Sequence, residues 1–186
     1  MYMQQLVGSR KAAKLGDFVQ LAAQFDNFAF SSFALRRIFW KSPCNVKSLA
    51  ECAQVFAREI GLGEKTSSDL NNWQNAWQKQ IFEQRIEGLA LTLHLLATFF
   101  SETEILKTRT IILEEQRNNV VGLLINIVTD AVAYTCGRLF ADRKRDFNLI
   151  PITATETLFE DLLTASTALI YEIILSAQAV SFTLFH

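Results

Sequence analysis

A chain of 186 residues, 50% hydrophobic and 20% charged, has enough apolar material for one core and is too short for two comfortable domains. A net charge of -1 excludes a global field for holding nucleic acid, and three cysteines without close paired spacing exclude a disulfide framework or a Cys-based metal or redox motif. Two prolines and seven glycines, against fifteen phenylalanines, predict long helices rather than sheet, and the mean hydropathy of +0.17 falls between a soluble domain and a protein made of spans.

Residues 1–41 are basic, with Arg10, Lys11, Lys14, Arg36, Arg37 and Lys41 against Asp17 and Asp26. No short apolar stretch with a small-residue cleavage site follows these charges, so no signal peptide is expected. From Lys14 to Trp40 the spacing of Phe18, Leu21, Phe25, Phe28 and Phe33 predicts a helix with one aromatic face. A basic, Phe-rich face of this kind suits anionic lipid or an acidic partner, and equally a solvated helix surface.

Ser42-Pro43 predicts a break and Asn45 a new helix cap. Val46, Leu49, Ala53, Phe56 and Ile60 then form a buried stripe that ends at Gly61 to Gly63. Ser68 is expected to cap a third helix, with Leu70, Trp73, Trp77 and Ile81 on one face and an apolar end, 88–100, that reads as core or as an interfacial segment. The charges from Ser101 to Asn118, Arg109 among them, predict a solvated helix running on into the next apolar stretch. After Pro151, the sequence Thr153-Ala-Thr-Glu156 has the form of a capping box for a last long helix.

The expected fold is therefore all-α, about five helices in a bundle, the last two long and apolar. Residues 1–118 form an amphipathic helical region. Residues 119–186 form two apolar helices, 119–141 and 162–185, each long enough for a membrane-spanning hairpin and both belonging to one structural unit with the rest.

Enzyme signatures are missing: the chain has no Gly-rich phosphate loop, no Gly-x-Ser-x-Gly elbow and no His-rich or Cys-rich ligand cluster. No catalysis, cofactor or metal is expected. His94 reads as a satisfied core histidine. Trp73 and Trp77, one turn apart, fit an aromatic platform or a core stripe.

The two apolar runs carry more. Asn119, Gly122, Asn126, Asp130, Ala133 and Gly137 step by three and four along the first, and Asp161, Ala165, Ala168, Glu172, Ser176, Ala179 and Thr183 along the last. Facing stripes of small and polar residues make a helix seam in a membrane or in a soluble bundle, with Asn126, Thr129 and Ser176 as its polar members. Asp130 and Glu172 are the acids in these runs, and a buried carboxyl is displaced towards neutral pH, so both are candidates for a proton relay. Arg138, Arg143, Lys144 and Arg145, between the runs, would place that loop on the cytoplasmic or stromal side of a membrane.

Gln78-Lys79-Gln80-Ile81-Phe82, the stretch Thr108 to Leu113, the run ending Asn126-Ile127-Val128-Thr129-Asp130 and the final Phe185-His186 resemble, over roughly the second half of the chain, the chloroplast envelope membrane protein family and its cyanobacterial relatives, the proton extrusion proteins. Thr129, Asp130, Phe185 and His186 match positions of that family one by one. The family's further aspartates in its second span have no counterpart in Thr164 to Leu169 or Ala177 to Val180, and its histidine-rich segment and last span would lie beyond His186, as in a truncated relative. The resemblance implies a protein of the plastid inner envelope or a cyanobacterial membrane that supports light-dependent proton extrusion, linked to inorganic carbon uptake and potassium and proton balance. Membrane lipid, protons or monovalent cations, and a protein partner or second copy are the partners expected, with no nucleic acid. The alternative is a soluble helical bundle of stroma or cytoplasm, a non-catalytic interaction or assembly module.

Overall fold

The computed structural model describes residues 39–62, 76–102, 106–114, 119–143 and 154–184. Among them are five helices and no strand: α1 (Pro43–Ile60), α2 (Ala76–Ser101), α3 (Leu106–Glu114), α4 (Val120–Arg143) and α5 (Ala154–Leu184). The helix expected before Trp40, the caps at Ser68 and Thr153, the side chains of Trp73 and Trp77, the basic loop after α4 and Phe185-His186 lie outside the described residues or side chains.

The first helix starts earlier than expected. Pro43 occupies its first turn, where the missing N–H costs nothing, and Ser42 takes the extended conformation that a following proline favours. Asn45 does not cap it; its Nδ2 donates to the carbonyl of Phe39 at 2.8 Å. The far end follows the glycine expectation. Gly61 has φ 77°, and the amides of Gly61 and Leu62 donate to the carbonyls of Arg58 and Ala57 at 3.0 and 2.9 Å, closing a Schellman motif.

Four helices form a ring. α2 packs on α1 and most extensively on α5, α5 also packs on α4, and α4 closes the ring on α1. Trp40 meets Phe99 at 5.4 Å between ring centroids, whereas Arg85 Nε lies 3.0 Å from Glu59 Oε2, so the start of α1 lies by the end of α2 and the two run antiparallel. Phe159 near the start of α5 meets both Phe82 and Tyr134, at 6.5 and 6.0 Å, so α5 runs antiparallel to α4 and beside α2 in the same direction. Two helical hairpins thus pack side by side. The short α3 touches α1, α4 and α5 and crosses the end where α1 begins and α2 finishes.

One core serves the whole ring, drawing on α1, α2, α4 and α5 together with Ile112 of α3. The helices on both sides of residue 118 share it. The apolar stretch 88–100 is its centre: Leu89, Leu93, Leu96, Phe99 and Phe100 are fully buried because α1 and α5 cover two sides of α2. Each such side chain contributes roughly 1.5–3 kcal/mol through the area it removes from water. His94 is the correction here, since it lies on the exposed side of α2 rather than in the core.

The stretch expected as one solvated helix from 101 into 119–141 is divided. α3 is a separate helix with Thr108, Arg109 and Ile112 buried, and Glu102 before it is buried too. α4 then starts afresh at Asn119, whose Oδ1 accepts from the amide of Gly122 at 2.8 Å, the geometry of an N-cap.

Candidate functional site

Among the described residues, Glu102, Thr108, Arg109 and Ser176 are buried where α3 crosses the bundle, whereas Thr92, Thr135 and Ser166 are buried farther along it. Arg109, 6% exposed, donates from Nη1 to the carbonyl of Phe100 at 2.6 Å and to Ser176 Oγ at 3.4 Å. Ser176 Oγ donates to the same carbonyl at 2.8 Å. Phe100 is the penultimate residue of α2, so its carbonyl is among the last four that no residue of the helix can satisfy. A cation there also meets the negative end of the helix dipole. Thr108 Oγ1 donates to the carbonyl of Lys41 at 3.2 Å and ties the same helix to the entry of α1.

Burial pushes the Arg109 guanidinium below its usual range, while Glu172 of α5 and Glu102 after α2 push it back up. The guanidinium is therefore a buried charge bonded to a serine and a helix terminus, in the field of two carboxylates. That arrangement can join helices and hold charge. Ser176 already gives its proton to a carbonyl and has Arg109 as its other partner, so it is not set up as a nucleophile.

The expected site residues fall into two places. Ser176 is in the junction, and Glu172, half-buried one turn earlier, acts on Arg109. Asn126, Thr129 and Asp130 are exposed on α4. Asp130 lies one turn from Tyr134, which faces Phe159 at the start of α5, whereas Glu172 is near the opposite end. At 1.5 Å rise per residue, the two acids are about two helical turns or more apart along the bundle. They are not brought together as a relay, and Asp130 lacks the burial that the expectation required.

The seam expectation for α4 needs the same correction. That helix packs through Val120, Leu124, Ile127, Val128, Ala131 and Thr135, while Asn119, Asn126, Asp130, Ala133 and Gly137 turn to the other side. Burying the larger apolar side removes more area from water, and the hydroxyl of Thr129 is satisfied within its own helix by the carbonyl of Ile125 at 2.8 Å. On α5 the stripe is mixed: Ala165 and Ser176 are buried, Ala168 and Glu172 half-buried, Asp161 and Ala179 exposed. Arg109 was the residue that sequence reasoning missed, because a charged stretch reads as solvated. The signal available was Ser176, a polar group in an apolar run that needs a partner if it is buried.

Residues 10–186 match the family described as a protein of unknown function, DUF4551. The chain belongs to this family. No curated protein and no solved structure matches it.

In this DUF4551 chain, α4 is the one described helix long and apolar enough to cross a membrane, through Val120–Gly137 with a mean hydropathy of 1.6. Only 33% of that stretch is buried within the bundle. Of the two apolar runs expected to be long enough for a span, this is the one that meets the length and apolarity among the described residues. Among the described residues no three of His, Cys, Asp and Glu gather as a metal site needs.

Proposed function

We propose that this chain is a water-soluble helical bundle working as a non-catalytic interaction or assembly module. The observation that carries the reading is the outward position of Asn126, Thr129 and Asp130 on α4. A helix spanning lipid turns its polar groups towards the protein or a water-filled path, and a carboxylate facing hydrocarbon is expensive. A helix on the surface of a water-soluble bundle does the reverse, with its apolar stripe inside and its charge outside. The pairing of α4 with α5 and α1 through apolar residues, and the burial of the strongest polar cluster at one end, support the same reading.

The experiment is flotation of the expressed protein with lipid vesicles, followed by an alkaline carbonate wash. Release into the aqueous phase as a folded, monodisperse helical protein is the expected result; retention with the lipid would overturn it.

A second reading, a membrane protein of proton handling in a plastid envelope or cyanobacterial membrane, draws its support from the length and hydropathy of α4. It requires Asp130→Asn to abolish light-linked acidification of the medium. Undiminished acidification in that variant removes it.

A further inference from the structure

The outer side of α5 carries a regular stripe. Glu160, Thr164, Thr167, Tyr171, Ile174 and Gln178 step alternately by four and three residues and are all exposed. That alternation is the seam spacing of two helices packed along each other, continued over about 27 Å at 1.5 Å per residue. No described helix covers the stripe, because α5 meets α2 and α4 through its other side, with Leu162, Ala165, Leu169 and Ile173. The two threonines are less polar than they read. Thr164 Oγ1 donates to the carbonyl of Glu160 at 2.8 Å, and Thr167 Oγ1 to those of Leu163 and Thr164, both at 3.0 Å. With the hydroxyls spent on their own helix, the methyl groups are what a neighbour meets. Tyr171, Ile174 and Leu175, 60%, 52% and 41% exposed, supply the bulk, and three large apolar side chains grouped on one helix face mark an interaction surface.

We infer that this seam takes a second copy of itself, two α5 helices lying antiparallel about a two-fold axis between Thr167 and Tyr171, an inference that names the partner of the assembly module proposed above and rests on that reading. A two-fold contact uses the same surface from both copies, so it must fit itself. This stripe does. The axis sets Thr167 against the partner's Tyr171 and Thr164 against the partner's Ile174, so that each large side chain faces a small one. It also sets Glu160 against the partner's Gln178, whose amide can donate to the carboxylate at the rim.

Charge fixes the direction. Glu160 and Asp161 lie in the first part of the helix, and residues 173–184 carry no charge at all. Antiparallel pairing lays the acidic part of each helix against the uncharged part of the other. Parallel pairing stacks Glu160 on Glu160 and Tyr171 on Tyr171, like charge on like charge and bulk on bulk. One helix face covers less than the roughly 800 Å² per partner of a standard stable interface, so the pairing forms at micromolar protein and dissociates on dilution.

The test is sedimentation equilibrium of the full chain, recovered from the aqueous phase after the carbonate wash, from about 1 to 100 μM. A reversible approach to twice the 21.1 kDa chain mass is expected. Thr167→Tyr, which sets two large side chains against each other, should weaken the dimer at least about tenfold. Adding Tyr171→Thr should restore it, because the exchange again sets large against small. Both variants should keep the parent's helical circular dichroism, since the positions are exposed. Direction is read by oxidising a mixture of Thr164→Cys and Ile174→Cys chains and mapping the linked peptides by mass, so that the native cysteines do not interfere. Links between 164 and 174 are expected. A monomer throughout the range overturns the pairing and leaves the bundle reading intact. A dimer untouched by Thr167→Tyr, or links of 164 to 164, overturns this antiparallel seam. Protein retained in lipid overturns the pairing together with the bundle reading.

Discussion

Arg109 and Ser176, 67 residues apart, meet over a single acceptor, the carbonyl of Phe100 at the end of α2. That contact ties α3 and α5 to the terminus of the central helix. Replacing Arg109 by Ala or Met leaves the carbonyl short of a donor and removes the charge whose field Glu102 and Glu172 share, and the loss expected from breaking a buried charged cluster is about 3 kcal/mol. Ser176→Ala alone should cost about 1 kcal/mol. Urea unfolding of the two single variants and the double should give a coupling energy well above experimental error; strict additivity would mean that the residues do not act together.

The outward face of α4 gives a contrasting prediction. Asn126→Ala, Thr129→Glu and Asp130→Lys should each leave stability within about 0.5 kcal/mol of the parent, as surface substitutions do. Leu124→Ala, on the buried side of the same helix, should cost about 3 kcal/mol. Thermal melts decide it, and a large loss from Asp130→Lys would show that this face has a structural partner.

Much of this fold was legible in the sequence and some was not, for reasons that lie in particular residues. The buried stripe from Val46 to Ile60 was readable because its period is that of a helix with one apolar face. Gly61 was readable because a left-handed end needs a residue without a side chain. Residues 88–100 read from their apolarity alone as core or as an interfacial segment, and only the packing of α1 and α5 decides for core. The division between α3 and α4 was missed although Asn119 is a good cap before an apolar run, because nothing between 101 and 118 breaks a helix outright. The orientation of α4 was missed for a deeper reason. A stripe of small and polar residues fits an inward seam in lipid and an outward surface in water, and local sequence does not name the solvent.

At Gly61 any side chain must adopt φ 77°, which L-residues avoid. Gly61→Ala should destabilise by about 1 kcal/mol in urea unfolding. A neutral or stabilising result would mean that the end of α1 rearranges without cost.

Cys52 supplies a pH dependence. Burial, with Glu51 adding to it, pushes its thiol up from 9.0 to about 12. In the unfolded chain the thiol ionises first, so the folded state holds more protons between these values. Its contribution to stability is whole below pH 9 and is lost as pH rises towards 12, at up to about 1.4 kcal/mol per pH unit. Cys52→Ala should flatten that part of the stability profile, and Cys52 should react with thiol reagents more slowly than the exposed Cys44. A profile unchanged by the substitution would assign the alkaline loss to other groups.

Which side of α4 meets the solvent separates a bundle in water from a helix in lipid. The most direct measurement is nitroxide accessibility at Asn126→Cys and Leu124→Cys in otherwise cysteine-free protein, with vesicles present, comparing a water-soluble nickel relaxant with oxygen. The bundle predicts that position 126 is relaxed strongly by nickel and that position 124 is shielded from both reagents. Strong relaxation by oxygen at 126, with nickel excluded, would place this face in lipid and contradict the account.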